Sequence, residues 1–194
     1  MTRSFISALI ISIIASSVPS FGQVYVFAKE GNEVLIKGTS NLHDWQMNVI
    51  TSSGEVKFAK DGNQLKGIEM VEFSCKTSDI KSENSIMDKK AYEALKANAH
   101  QIIRFSLLAN KELISEERKF RGSIKGRLFI AGITKEIDVP FTGHLNEDNT
   151  ISLEGSVDLL MSDFKINPPT ALLGALKTGN KVTVHFALRL LSKT

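Results

Sequence analysis

Asn84-Ser85-Ile86-Met87-Asp88-Lys89-Lys90-Ala91-Tyr92-Glu93-Ala94-Leu95-Lys96-Ala97-Asn98 reads as a helix, and Ala99-His100-Gln101-Ile102-Ile103-Arg104-Phe105 carries it straight into a strand. Met87, Ala91, Leu95 and Asn98 recur every three to four residues and so share one face. Ser85 followed by Asp88 has the spacing of a capping box, a hydroxyl for an orphan backbone N–H and a carboxylate near the positive end of the helix. The periodicity predicts one amphipathic helix over 85–98. On both sides of it the pattern is β, so the helix has to cover part of a β structure.

Upstream, Trp45, Met47 and Val49 alternate with Gln46, Asn48 and Ile50, the signature of a half-buried strand. Asp61-Gly62-Asn63 marks a hairpin. Leu65 to Lys76 is extended but changes parity, from Ile68 and Met70 to Val71, Phe73 and Cys75, which predicts a bulge or a strand buried on both faces. Downstream, Ile103, Phe105 and Leu107 alternate, as do Ile137, Val139 and Phe141. Ile151 to Met161 does the same, and Val182, Val184, Phe186, Leu188 and Leu190 form the last inward set. Pro140 predicts an edge or a bulge for its strand. Glu116-Glu117-Arg118-Lys119 and Gly132-Ile133-Thr134-Lys135 are read as turns, and Ala171 to Leu176 as one helical turn after Pro168-Pro169. Eight to ten strands at hairpin spacing predict an all-β fold, and closure of an antiparallel sheet into one barrel removes its edges. A barrel of about eight strands is either filled by side chains or holds one small ligand. Trp45, Met47, Phe73, Phe105, Phe129, Phe141, Phe164 and Phe186 are a generous apolar inventory for a plain core.

The chain has 194 residues, 42% of them hydrophobic and 23% charged, with a formal net charge of +3. One globular domain is expected. The lysines are scattered, and so small a net charge excludes a general nucleic-acid binder. Cys75 is the single cysteine, which excludes an intrachain disulfide and CxxC chemistry. His43, His100, His144 and His185 show no metal-ligand spacing, and no glycine run forms a phosphate loop. His43-Asp44 is the one tempting catalytic pair, but neighbours in a strand point to opposite faces. The alternatives for His43 are a ring bonded to a loop carbonyl or a contact to a polar ligand head. The N-terminus reads as a secretory signal peptide over 1–22: Arg3, an apolar run from Phe5 to Ala15, then Ser20 and Gly22 at a cleavage site. That leaves a domain over 23–194, periplasmic or secreted, with no stable membrane span after cleavage.

Four stretches in series carry a family resemblance. Gly38-Thr39-Ser40-Asn41-Leu42-His43-Asp44-Trp45, the segment from Asn84 to Phe105, Gly126-Arg127-Leu128-Phe129-Ile130-Ala131-Gly132-Ile133-Thr134-Lys135 and Ser162-Asp163-Phe164 resemble, in order, the motifs of YceI-like proteins. The resemblance implies a lipocalin-like closed antiparallel barrel with its helix near the mouth, in a family of exported proteins some of which hold an isoprenoid or other amphiphilic lipid. It implies a non-enzymatic carrier or store of a hydrophobic small molecule (isoprenoid, quinone-like or other lipid), with no other cofactor and with a homodimer allowed. His43, Trp45, Met47, Phe73, Met87, Asp88, Phe105, Phe129, Phe164 and Phe186 are the expected ligand contacts. The chain departs from the family where an Arg-Asp pair often opens the helix: Met87 precedes Asp88, and Lys89 and Lys90 are the nearest replacement cations. The alternative function is a cell-envelope interaction module with a filled barrel.

Overall fold

The computed structural model describes residues 22–61 and 64–193. The expected signal segment lies outside them, apart from Gly22, as do Gly62 and Asn63 of the expected hairpin.

Among the described residues, twelve strands form one antiparallel sheet system that closes on itself. They are β1 (Gln23–Phe27), β2 (Glu33–Ser40), β3 (Trp45–Val49), β4 (Ser53–Asp61), β5 (Gln64–Lys76), β6 (Ile80–Lys81), β7 (Ile102–Glu116), β8 (Lys119–Ile130), β9 (Ile133–Leu145), β10 (Ile151–Leu160), β11 (Thr170–Ala171) and β12 (Leu176–Ser192). One helix, α1 (Ser85–Ala94), interrupts them. Eight walls make the barrel, because β1–β2, β3–β4 and β5–β6 are three strands each broken once. β1 pairs with β4 and β2 with β3, while both β1 and β2 lie against β12. Tyr25↔Ser192 and Phe27↔Leu190 close the ring.

The meander sorts its connections between two ends. Among the described residues, one end carries the 117–118 and 146–150 turns together with Gly22 and Lys193. The other carries the 41–44 loop, the break at 77–79, α1, the Ala131–Gly132 turn and the whole 161–175 segment. The 131–132 turn has positive φ at both residues, 50° and 87°, the geometry that matches the twist of a two-residue hairpin. Ile133 to Lys135, expected in that turn, therefore belong to β9. The parity change in β5 is two bulges: Lys57 and Phe58 pair with Met70 and Ile68, and Ala59 and Lys60 with Gly67 and Leu65. Glu69 and Lys66 are the extra residues.

Three expectations need correction. The helix ends at Ala94, not at 98; Leu95 caps it, and Lys96 takes a left-handed φ of 53° that stops the spiral. Its N-cap is Asn84, whose Oδ1 accepts from Ile86 N (2.9 Å) and Met87 N (3.2 Å), so Ser85 is already the first helical residue. And β9 is no edge: it pairs with β8 along its length and with β10 over Phe141–Leu145. Pro140 stands where the pairing to β10 stops.

Candidate ligand cavity

The barrel interior has two zones. At the end with the tight turns it is solid. Tyr25, Phe58, Ile151 and Leu190 are at most 1% exposed, and the rings of Tyr25, Phe58, Phe120 and Phe141 pack edge to face in series, 5.6, 5.8 and 6.3 Å between centroids. Toward the helical end several inward residues, among them Phe73, Val157, Val184 and Phe186, are only half-buried. Their free side faces a void of about 200 Å³. Its wall is entirely apolar, built by Phe27, Val34, Ile36, Val49 and Val56 from the first two walls, and by Ile68, Val71, Phe73, Cys75 and Ile80 from the third. Ile103, Phe105, Ile124, Leu128, Ile130, Ile137, Val139, Phe141, Leu153, Val157, Leu159, Val184, Phe186 and Leu188 complete it.

Glycines explain how so many aromatics leave a void. The rings of Phe105, Phe120, Phe186, Phe27 and Trp45 lie over Gly126, Gly143, Gly155, Gly54 and Gly38, so closely that no Cβ would fit. Phe120↔Gly143, Phe186↔Gly155 and Trp45↔Gly38 are direct cross-strand partners. Each ring is thus folded against the wall of the neighbouring strand instead of projecting across the barrel.

Of the ten expected contacts, Phe73, Phe105 and Phe186 line the void. Met47 (4% exposed) and Phe164 (2%) are buried in the core and are not part of its wall, and Trp45 and Met87 are half-buried against the core. Trp45 is held by its ring nitrogen, which donates to the Thr39 carbonyl at 3.0 Å. Phe129 does not reach the interior. Its neighbours Leu128 and Ile130 point inward, so it points out, edge-on to His100 at 6.0 Å. His43 is exposed, with Nδ1 donating to the Asp44 carbonyl at 2.9 Å.

Asp88 also turns away from the void. It is 8% exposed and accepts from Ser82 N (2.7 Å) and Ser82 Oγ (2.8 Å), with Lys81 Nζ at 3.7 Å. Burial alone would raise its pKa, but the Ser82 bonds and the Lys81 charge outweigh it and hold the carboxyl below its ordinary range. Asp88 therefore fastens the start of α1 to the chain leading into it. Its cation is Lys81, which also lies over the Tyr92 ring, 5.0 Å from the centroid. Tyr92 completes the fastening by donating to the Ser78 and Ile80 carbonyls. Sequence reasoning missed Lys81 because the pairing crosses from a strand to a helix. It also missed the aliphatic lining, although the inward alternation already marked most of those positions.

Chemically the wall offers apolar contact. No polar side chain faces the void, and burial pushes the Cys75 thiol up to about 12, Asp79 adding to the effect. A thiol held that far from ionisation is a poor nucleophile. Among the described residues no group of three or more His, Cys, Asp or Glu side chains is placed to hold a metal, and no helix is long and apolar enough to cross a membrane.

A closed eight-walled antiparallel barrel with an apolar-walled void and a helix packed against its core defines a lipocalin-like protein. The chain belongs to the YceI-like domain family, whose model matches residues 25–190. It is similar to the crystal structure of BcnA from Burkholderia cenocepacia (TM-score 0.66, 16% identity, 84% of this chain and 98% of that one). It is likewise similar to a polyisoprenoid binding domain from Saccharophagus degradans implicated in plant cell wall breakdown (0.67, 10%, 89% and 100%). The Campylobacter jejuni YceI protein is a third (0.59, 17%, 76% and 84%). At these identities the likeness is one of fold. No curated protein sequence matches the chain.

Proposed function

We propose that this protein is a non-enzymatic carrier or store of a hydrophobic chain, of the isoprenoid or lipid class, acting in the periplasm or outside the cell. The observation that carries the reading is the apolar void. An empty cavity costs about 24 cal/mol per Å³, so 200 Å³ left unfilled represents about 5 kcal/mol that a hydrocarbon occupant can return. The volume is below the ~300–1,000 Å³ of compact small-molecule sites, which suits one narrow chain with its head outside. With no hydrogen-bonding group in the wall, selectivity comes from length and width. The polyisoprenoid-binding relative with this fold supports the ligand class, and the leader-like N-terminus supports the location. The exposed Leu42 and Ile86, 62% and 68% accessible at the helical end, suit exchange with apolar surroundings. The apolar void of about 200 Å³ favours this reading over the interaction module with a filled barrel.

The test is a chain-length series. Solvent-extracted protein titrated with fatty acids and short polyprenols should gain about 0.8 kcal/mol per added buried carbon until the void is full, then level off. Equal, weak binding of every length would refute the proposal.

A further inference from the structure

The β9–β10 ladder runs only from Leu145↔Ile151 to Phe141↔Gly155. Beyond it β9 continues through 133–139 and β10 through 156–160 without register between them, although β8–β9 and β10–β12 stay paired along their whole length. The cause is local. The Pro140 carbonyl occupies the space a Cβ on Gly155 would need, so that edge of Pro140 faces β10, and there proline has no N–H to give. The wall is parted on the side where Ile137, Val139, Val157 and Leu159 line the void. The β5–β7 ladder also parts, beyond Glu72↔Ser106, but there Asn110 bridges it by bonding to both the N–H and the carbonyl of Ile68.

A turn packs on both strands of the β9–β10 parting instead. The single turn Met161–Phe164 packs on β9, β10 and β12; Phe164 (2% exposed) and, just after the turn, Ile166 (6%) are buried in the core. It is fastened by the reciprocal Ser162–Asn180 pair at 2.9 Å and by short-range backbone bonds, and it ends in Lys165 with a left-handed φ of 53°. A plug held by one side-chain pair and ending in a disfavoured backbone conformation opens at less cost than a fully laddered strand.

We propose that the apolar chain reaches the cavity sideways, between β9 and β10, and that Phe164 is the stopper that swings out to admit it. This rests on the carrier reading, but its test need not. Cys75, the only thiol, lines the void, so its labelling by N-ethylmaleimide reports access without any ligand. Phe164→Ala and Phe164→Leu are compared in the full chain with Met87→Ala at the helical cover and with Phe58→Leu in the solid end, which destabilises without touching the parting. Labelling should quicken by about ten-fold or more in Phe164→Ala and by less in Phe164→Leu, and stay within about two-fold of wild type in the other two. Equal acceleration in Phe58→Leu and Phe164→Leu, or acceleration in Met87→Ala alone, overturns the proposal. Should Phe164→Ala fail to fold, Phe164→Leu against Phe58→Leu decides. Selective acceleration together with no chain binding in the titration would leave the gate standing and refute the carrier.

Discussion

Val184→Phe should make the ligand-free protein more stable and the loaded one harder to form. Val184 projects from β12 opposite Val157, is half-buried, and borders the void. Phenylalanine adds four carbons. At about 0.8 kcal/mol for each one buried, the ceiling is about 3 kcal/mol, within the roughly 5 kcal/mol that the cavity forfeits when empty. For a chain of this size each kcal/mol moves Tm by about 2–4 °C, so the rise should reach several degrees. The new ring takes the same room from a ligand, so a bound chain should lose up to about 3 kcal/mol, more than 100-fold in Kd. Urea denaturation of solvent-extracted protein reads the first effect, and a cis-parinaric acid titration the second. The opposite sign would refute the reasoning: a loss of about 1–3 kcal/mol, the usual cost of overpacking, with the titration unchanged, would mean that the interior is already full.

Asn84→Ala should cost about 1 kcal/mol and speed exchange of the Ile86 and Met87 amides, whereas Ser85→Ala should do neither, because the cap is at Asn84. Asn110→Ala should cost about 1 kcal/mol and deprotect the Ile68 amide, with little effect on amides near β10. Asp88 is depressed in the folded state, so the unfolded chain binds its proton more tightly. Its contribution is present in full above the unfolded pKa and drains away as pH falls through the lower folded value. Amide exchange in α1 should accelerate over that acid range, and Asp88→Asn should flatten the dependence.

The sequence carried the barrel because period-2 alternation is a local signal. In Val182, Val184, Phe186, Leu188 and Leu190 it repeats over enough residues to name a wall and its inner face. It also carried the β5 bulges, since an extra residue shifts parity within the strand. The void was not readable in this way. It depends on which glycine faces which ring across two strands, and Phe186 over Gly155 or Phe105 over Gly126 pairs residues about twenty to thirty apart. Phe129 shows the same limit on a smaller scale: counting aromatics includes it, while the parity of Leu128 and Ile130 puts it outside. Asp88 was placed at the helix start correctly, but its role turned on Ser82 and Lys81, which precede the helix and fold back onto it. Pro140 was a sound signal with a different outcome, a parted ladder inside a closed wall in place of an edge.

The most direct measurement is native mass spectrometry of the protein purified without detergent, with organic extraction of the same sample. The account predicts a species heavier than the polypeptide by one lipid, released on extraction and identified as a single-chain hydrophobic molecule. A bare polypeptide mass that stays bare after incubation with polyprenols and fatty acids would contradict it.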